Sequence, residues 1–107
     1  MDIGTFSALA EPNRLRIVEL LAHGPLTVGE IAERLNLRQP QASKHLRVLL
    51  DARLVTVHAD ANRRNYALQM EPLQEMDAWL NNYRRMWNER FDNLDQYLQE
   101  LQSKSQQ

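Results

Sequence analysis

A chain of 107 residues, 43% hydrophobic and 25% charged, is the size and composition of one small globular domain with a modest core. It has no cysteine, which excludes disulfides, thiolate metal sites and thiol redox sensing together. No apolar run approaches the roughly 20 residues of a membrane-spanning helix, no secretory leader is visible, and the net charge of -1 speaks against bulk coating of a polyanion. The expectation is a cytoplasmic protein without membrane contact.

Residues 2–10 read as a short helix with Ile3, Phe6, Leu9 and Ala10 on one side. Pro12 suits the first turn of a second helix, where its missing N–H is harmless. That helix should bury Leu15, Ile17, Val18, Leu20 and Leu21 and stop at His23-Gly24-Pro25. Thr27-Val28-Gly29-Glu30 is a capping box, and Leu26 and Ile31 occupy the two positions of a hydrophobic staple. A third helix therefore starts at Thr27, turns Ile31, Ala32 and Leu35 inward, and ends at Asn36 in a left-handed conformation. A fourth helix is predicted from Gln39 to Asp51, with Pro40 in its first turn. Its apolar face is Ala42, Leu46 and Leu49; its polar face is Gln41, Ser43, Lys44 and Arg47.

Leu54 to His58 alternates and is rich in β-branched residues, so it reads as a strand. Asp60-Ala61-Asn62 turns the chain, and Arg64 to Leu68 returns as a second strand. From Glu71 the pattern is helical for about thirty residues. Leu73, Met76, Leu80, Tyr83, Trp87, Leu94, Leu98 and Leu101 recur in steps near heptads, Phe91 fills the irregular middle, and Trp79 and Met86 widen the stripe. The polar tail from Ser103 is expected to fray. The fold class is mainly α with a small β-hairpin: a winged helix-turn-helix over 1–70 and a long C-terminal dimerisation helix over 71–107, packed with it as one structural unit.

Two helices around a short break, the second with a polar face, are how a helix-turn-helix reads when one helix braces and the next is offered to DNA. Charge is placed to match. From Arg38 to Arg64 six basic residues (Arg38, Lys44, Arg47, Arg53, Arg63, Arg64) face only Asp51 and Asp60, a local +4. Residues 71–107 carry four basic residues against seven acidic ones, a local -3. A small basic face on a near-neutral protein suits selective binding to double-stranded DNA. Gln39 and Gln41 offer amides suited to adenine, Ser43 and Lys44 can meet bases or phosphate, and Arg38, Arg47, Arg63 and Arg64 can meet phosphate or a narrow minor groove. His45, at the margin of the apolar face, is expected to pack rather than read bases.

The sequence resembles the ArsR-type winged-helix repressors. The resemblance is carried by Phe6-Ser7-Ala8-Leu9-Ala10-Glu11-Pro12-Asn13-Arg14, Thr27-Val28-Gly29-Glu30-Ile31-Ala32, Gln39-Pro40-Gln41-Ala42-Ser43-Lys44-His45-Leu46 and Arg63-Arg64-Asn65-Tyr66. It covers roughly the first 70 residues. The aromatic last helix, with Trp79, Tyr83, Arg84, Arg85 and Trp87, is similar to a subgroup without metal sites. The resemblance implies a homodimeric transcriptional repressor. Its first and last helices form the interface, its fourth helix enters the major groove, and its wing touches backbone or minor groove. The dimer residues implied are Phe6, Leu73, Met76, Trp79, Leu80, Tyr83 and Trp87. Two recognition helices about 34 Å apart would then read a pseudo-palindromic operator.

The sensor residues depart from that pattern. Thr27, Val28 and Gly29 stand where metal-sensing relatives carry cysteines, and residues 71–107 contain no histidine for a cluster on the last helix. His23, His45 and His58 lie in three different elements without ligand spacing. No metal or other cofactor is expected, and a small-molecule effector is left open. Arg38 stands where the family usually has a serine or similar cap for the fourth helix, and Arg53 where it commonly has glycine. No nucleophile–base pair or phosphate loop suggests an enzyme. The alternative is a protein-interaction module, with the winged helix as scaffold and the last helix as binding surface. Trp79, Tyr83 and Trp87 could also line a small-ligand pocket, though core or interface packing explains such a stripe better.

Overall fold

The computed structural model describes residues 2–105. Five helices and three strands follow in the order α1 (Ile3–Leu9), α2 (Pro12–Leu21), β1 (Leu26–Thr27), α3 (Val28–Leu35), α4 (Gln39–Asp51), β2 (Val55–Asp60), β3 (Arg63–Leu68) and α5 (Met70–Ser105). The chain divides into two compact units, with the boundary between Glu75 and Met76. Mainly helical architecture with a small sheet and a long last helix is the fold class the sequence implies.

The first unit holds the core. Ile17 of α2, Ile31 of α3, Ala42, Leu46 and Leu49 of α4, and Leu54 are completely buried. Val18, Leu21, Leu26, Ala32, Leu35, Val55 and Tyr66 close around them. One inward assignment needs correction. Leu15 is 42% exposed. In α1 the buried residues are Thr5 and Ala8, while Ile3 is 80% and Phe6 39% exposed. Ile3 and Phe6 thus face away from the core, while Ala8 belongs to it and Leu9 packs against it.

The sheet is also larger than expected. It has three antiparallel strands in the order β1-β3-β2, rather than the two of a simple hairpin. Leu26 pairs with Tyr66 and Thr27 with Asn65, so the cap of α3 is itself a strand residue. β2 and β3 pair from Val55–Leu68 out to Asp60–Arg63. The turn between them places Ala61 at φ +56°.

Both helices of the helix-turn-helix end in the same backbone motif. At the end of α3, Leu37 N–H donates to the Ala32 carbonyl (2.9 Å) and Asn36 N–H to Glu33 (3.3 Å). At the end of α4, Leu54 N–H donates to Leu49 (2.9 Å) and Arg53 N–H to Leu50 (3.0 Å). This pattern places one residue in the left-handed region: Asn36 at φ +55° and Arg53 at φ +62°. Asparagine tolerates it, whereas arginine there loses about 1 kcal/mol relative to glycine. Arg53→Gly should therefore raise the melting temperature by a few degrees, on the order of 4–8 °C per kcal/mol for a domain this size. An unchanged or lower melting temperature would contradict the strain argument.

α5 runs on helically through Ser105, beyond the fraying expected from Ser103. Gln106 and Gln107 lie outside the described residues. Leu73, in its first turns, packs against the core of the first unit.

Candidate nucleic-acid interface

α4 is fixed by three completely buried residues, Ala42, Leu46 and Leu49. At about 100° per residue, that seat leaves Gln39, Gln41, Ser43, Lys44 and Arg47 exposed. Arg38 is the N-cap of α4; it is exposed, and its side chain makes no capping hydrogen bond. A guanidinium has no acceptor with which to cap. The missing cap is partly offset from the other side, because Gln41 Oε1 accepts from the Arg38 N–H at 3.1 Å. Gln41 is therefore engaged by its oxygen in holding the helix start, leaving its amide nitrogen to donate outward. Sequence reasoning treated both ends of that amide as available. Arg47 Nε lies 3.7 Å from Asp51 Oδ1. Both side chains are largely exposed, and such a pair is worth only a few tenths of a kcal/mol, so Arg47 can exchange it for a phosphate.

His45 departs from its exposed neighbours. It is half-buried, with Nδ1 3.6 Å from Oε2 of Glu11, the N-cap of α2, which matches the packing role expected of it. His58 Nε2 lies 3.4 Å from Thr56 Oγ1. No group of histidine, cysteine or carboxylate side chains suited to holding a metal ion occurs among the described residues. None of the described helices is long and apolar enough to cross a membrane.

The wing arginines lie at the hairpin tip, where the backbone of Arg63 is in register with that of Asp60 across the turn. Together with Asn62, Thr27, Val28 and Glu30, Arg63 and Arg64 line a groove of about 500 Å³. The capping box expected at Thr27 is complete. Glu30 N–H donates to Thr27 Oγ1 (3.2 Å), and Glu30 Oε1 accepts from both the Thr27 N–H (3.1 Å) and its hydroxyl (3.0 Å). These bonds, backbone first, hold the Glu30 carboxyl below its ordinary range, with Arg34 and Arg63 adding favourable charge. A depressed carboxyl pKa stabilises the fold above the unfolded-state value and loses that contribution as pH falls through the folded value. Glu30→Gln keeps an acceptor for the cap but removes the titration. The stability difference between wild type and Glu30→Gln should shrink on acidification from about pH 5 to below about pH 4. A difference that stays constant in acid melts would contradict the assignment.

The second unit presents the aromatic stripe of α5. Trp79 and Tyr83 stack at 5.3 Å between ring centroids, Tyr83 and Trp87 follow at 6.1 Å, and Trp87 and Phe91 at 5.9 Å. The Arg90 guanidinium lies 5.8 Å from the Trp87 ring centre. Trp79, Leu80, Tyr83, Met86, Trp87, Phe91, Leu94, Tyr97, Leu98 and Leu101 are all substantially exposed, and Met76 is half-buried. The pocket lined by Tyr83, Met86, Trp87 and Arg90 measures about 40 Å³. That is far below the ~300 Å³ of small-molecule sites.

A helix-turn-helix domain family model matches residues 9–58, which span α2 through the first part of the wing. The transcriptional repressor SdpR of Bacillus subtilis is 35% identical over 78 residues, 73% of this chain and 87% of SdpR. The crystal structure of the ArsR family transcriptional regulator RHA00566 superposes with a TM-score of 0.71 at 33% identity, covering 79% of this chain and 88% of that one. The chain belongs to the ArsR family of transcriptional regulators. A third relative is the homodimeric winged helix-turn-helix DNA-binding domain of Mb0332 from Mycobacterium bovis, a possible ArsR-family regulator. It matches with a TM-score of 0.64 at 28% identity, over 77% of this chain and 76% of that one. The present ArsR-family protein is thus a winged helix-turn-helix DNA-binding regulator, as the sequence resemblance implies.

Proposed function

We propose that this ArsR-family protein is a homodimeric, sequence-specific repressor. It reads an inverted-repeat operator with α4 and blocks promoters, its own among them, by occupying them in the cytoplasm. The observation that carries this reading is the seat of α4: three completely buried apolar residues hold the helix while its polar side, Gln39 to Arg47, stays exposed. Gln39, Ser43 and Lys44 meet base edges, with Gln41 contributing its amide nitrogen. Arg38, Arg47, Arg63 and Arg64 meet phosphates or the minor groove.

The dimer reading is supported by the exposed stripe and by the homodimeric Mb0332 domain. Phe6, Met76, Trp79, Leu80, Tyr83 and Trp87 supply its contacts. Leu73 contributes less, because part of its surface already packs on its own core.

The test is a mobility-shift titration on a duplex selected by the wild-type protein from a random pool. Four phosphate-facing arginines per protomer, eight in the dimer, predict a loss of about 10³-fold or more between about 50 and 200 mM salt. Lys44→Ala should reduce preference for the selected duplex about tenfold. Arg63→Ala should weaken all sequences alike and reduce the salt slope by about one per protomer. A flat salt response sinks the phosphate contacts, and the reverse ranking moves specificity to the wing. Failure to shift any DNA, with a stoichiometric complex with another protein, favours the interaction-module reading.

A further inference from the structure

We propose that Glu11 and His45 form a positioning pair that sets the rotation of α4, and so determines operator specificity without touching DNA. The inference rests on the reading that α4 is the DNA-reading helix. Glu11 is the N-cap of α2, where its Oε2 accepts from the Arg14 N–H at 2.9 Å. The same oxygen lies 3.6 Å from His45 Nδ1, with 20% of the His45 side chain and 31% of the Glu11 side chain exposed. A carboxylate there is an acceptor for a proton on Nδ1. Arg14 extends the corner to α1: its Nε donates to the Ala8 carbonyl at 2.6 Å and its Nη2 to Ser7 at 3.3 Å. A cation on the last carbonyls of a helix is favourably placed. One corner therefore holds the end of α1, the start of α2 and the middle of α4.

The apolar seat sets which face of α4 is buried, because Ala42, Leu46 and Leu49 are completely buried on one side. Within that seat, a contact at its margin trims the final rotation. His45 stands at the edge of that seat, directly between Lys44, which is exposed, and Leu46, which is completely buried. At 3.6 Å the Glu11–His45 approach is longer than a hydrogen bond, so it acts as an electrostatic contact that draws this margin of α4 toward the start of α2. It holds the helix at one rotation, and with it the outward aim of Gln39, Ser43 and Lys44. Loss of the contact leaves the phosphate-binding cations in place but misdirects the side chains that discriminate bases. Specificity falls while non-specific attraction persists.

The experiment compares affinity for the selected duplex with affinity for a shuffled duplex of equal composition at fixed salt, alongside melting temperature. Glu11→Gln keeps an acceptor for the Arg14 N–H and removes the charge facing His45. His45→Ala removes the ring. Each should lower the selected-to-shuffled ratio about tenfold, as a mismatched base pair does, with shuffled affinity unchanged. Because the two residues act through one contact, the double variant should be no worse than His45→Ala alone. His45→Gln, which can donate to Glu11, should recover part of the ratio and covers the case in which the alanine variant folds poorly. An unchanged ratio in folded Glu11→Gln and His45→Gln, equal losses on both duplexes, or effects that multiply in the double variant would each overturn the proposal. Lys44→Ala separates the two levels. If it lowers the ratio while the pair does not, only the positioning role fails; if it too leaves the ratio unchanged, the recognition-helix reading fails.

Discussion

Trp87→Glu should convert the protein to a folded monomer that no longer holds its operator. Trp87 sits in the middle of the aromatic ladder, within 6.1 Å of Tyr83 and 5.9 Å of Phe91 between ring centroids, yet 43% of it is exposed. Buried tryptophans at interface centres are worth ~2 kcal/mol or more when truncated, and a buried unpaired carboxylate adds a desolvation penalty. Losing the dimer also removes the second half-site from each binding event. Linked sites gain about 10²- to 10⁴-fold in avidity over single ones, so operator affinity should fall by that order. The core of the first unit lies elsewhere, in α2, α3, α4 and the sheet, so its melting transition should persist. Sedimentation equilibrium and mobility shift on the same preparation check both halves. A dimer that survives Trp87→Glu, or a monomer with wild-type operator affinity, contradicts the interface assignment.

The largest stability effect is expected from Leu46→Ala. Leu46 is completely buried at the centre of α4. Removing a buried leucine side chain costs about 2–5 kcal/mol, because the lost transfer energy is joined by a cavity that closes only in part. A domain stabilised by roughly 5–15 kcal/mol is left marginal, and the melting temperature should drop by about ten degrees or more. Val48→Ala, two residues along the same helix but 39% exposed, should cost less than about 1 kcal/mol. Chemical denaturation of the pair measures the contrast. Equal losses would mean that α4 is not seated as described.

These expectations show which parts of the molecule announce themselves in the sequence. Capping is local, so the Thr27–Glu30 box, the left-handed Asn36 and the limits of α4 at Gln39 and Asp51 could all be read from neighbours in the chain. The inward faces of α3 and α4 followed from helical spacing. The core-facing side of α1 was not legible, because the small Thr5 and Ala8 meet the core while the larger Ile3 and Phe6 are exposed. β1 was invisible because two residues carry no alternation; it exists only through its pairing with Tyr66 and Asn65, forty residues further on in round terms. The cap from Gln41 to the Arg38 N–H escaped notice because the usual serine or threonine was absent.

The candidate surface was legible as a polar helix face and an arginine turn, and those residues are exposed as that reading requires. Its support was not. The Arg14 clamp reaches carbonyls six and seven residues back, and the Glu11–His45 contact joins two helices with a third between them in sequence. Long polar side chains have no periodicity to betray their partners. Their contacts become visible only when tertiary packing is known.

Footprinting on the DNA immediately upstream of the protein's own coding sequence tests the central claim most directly. The account predicts protection of an inverted repeat whose half-site centres lie about 34 Å apart, one helical turn, with the two halves filling together as protein is added. Protection of a single asymmetric site filled by monomer, or no protection at low salt, would contradict a dimeric operator-reading repressor.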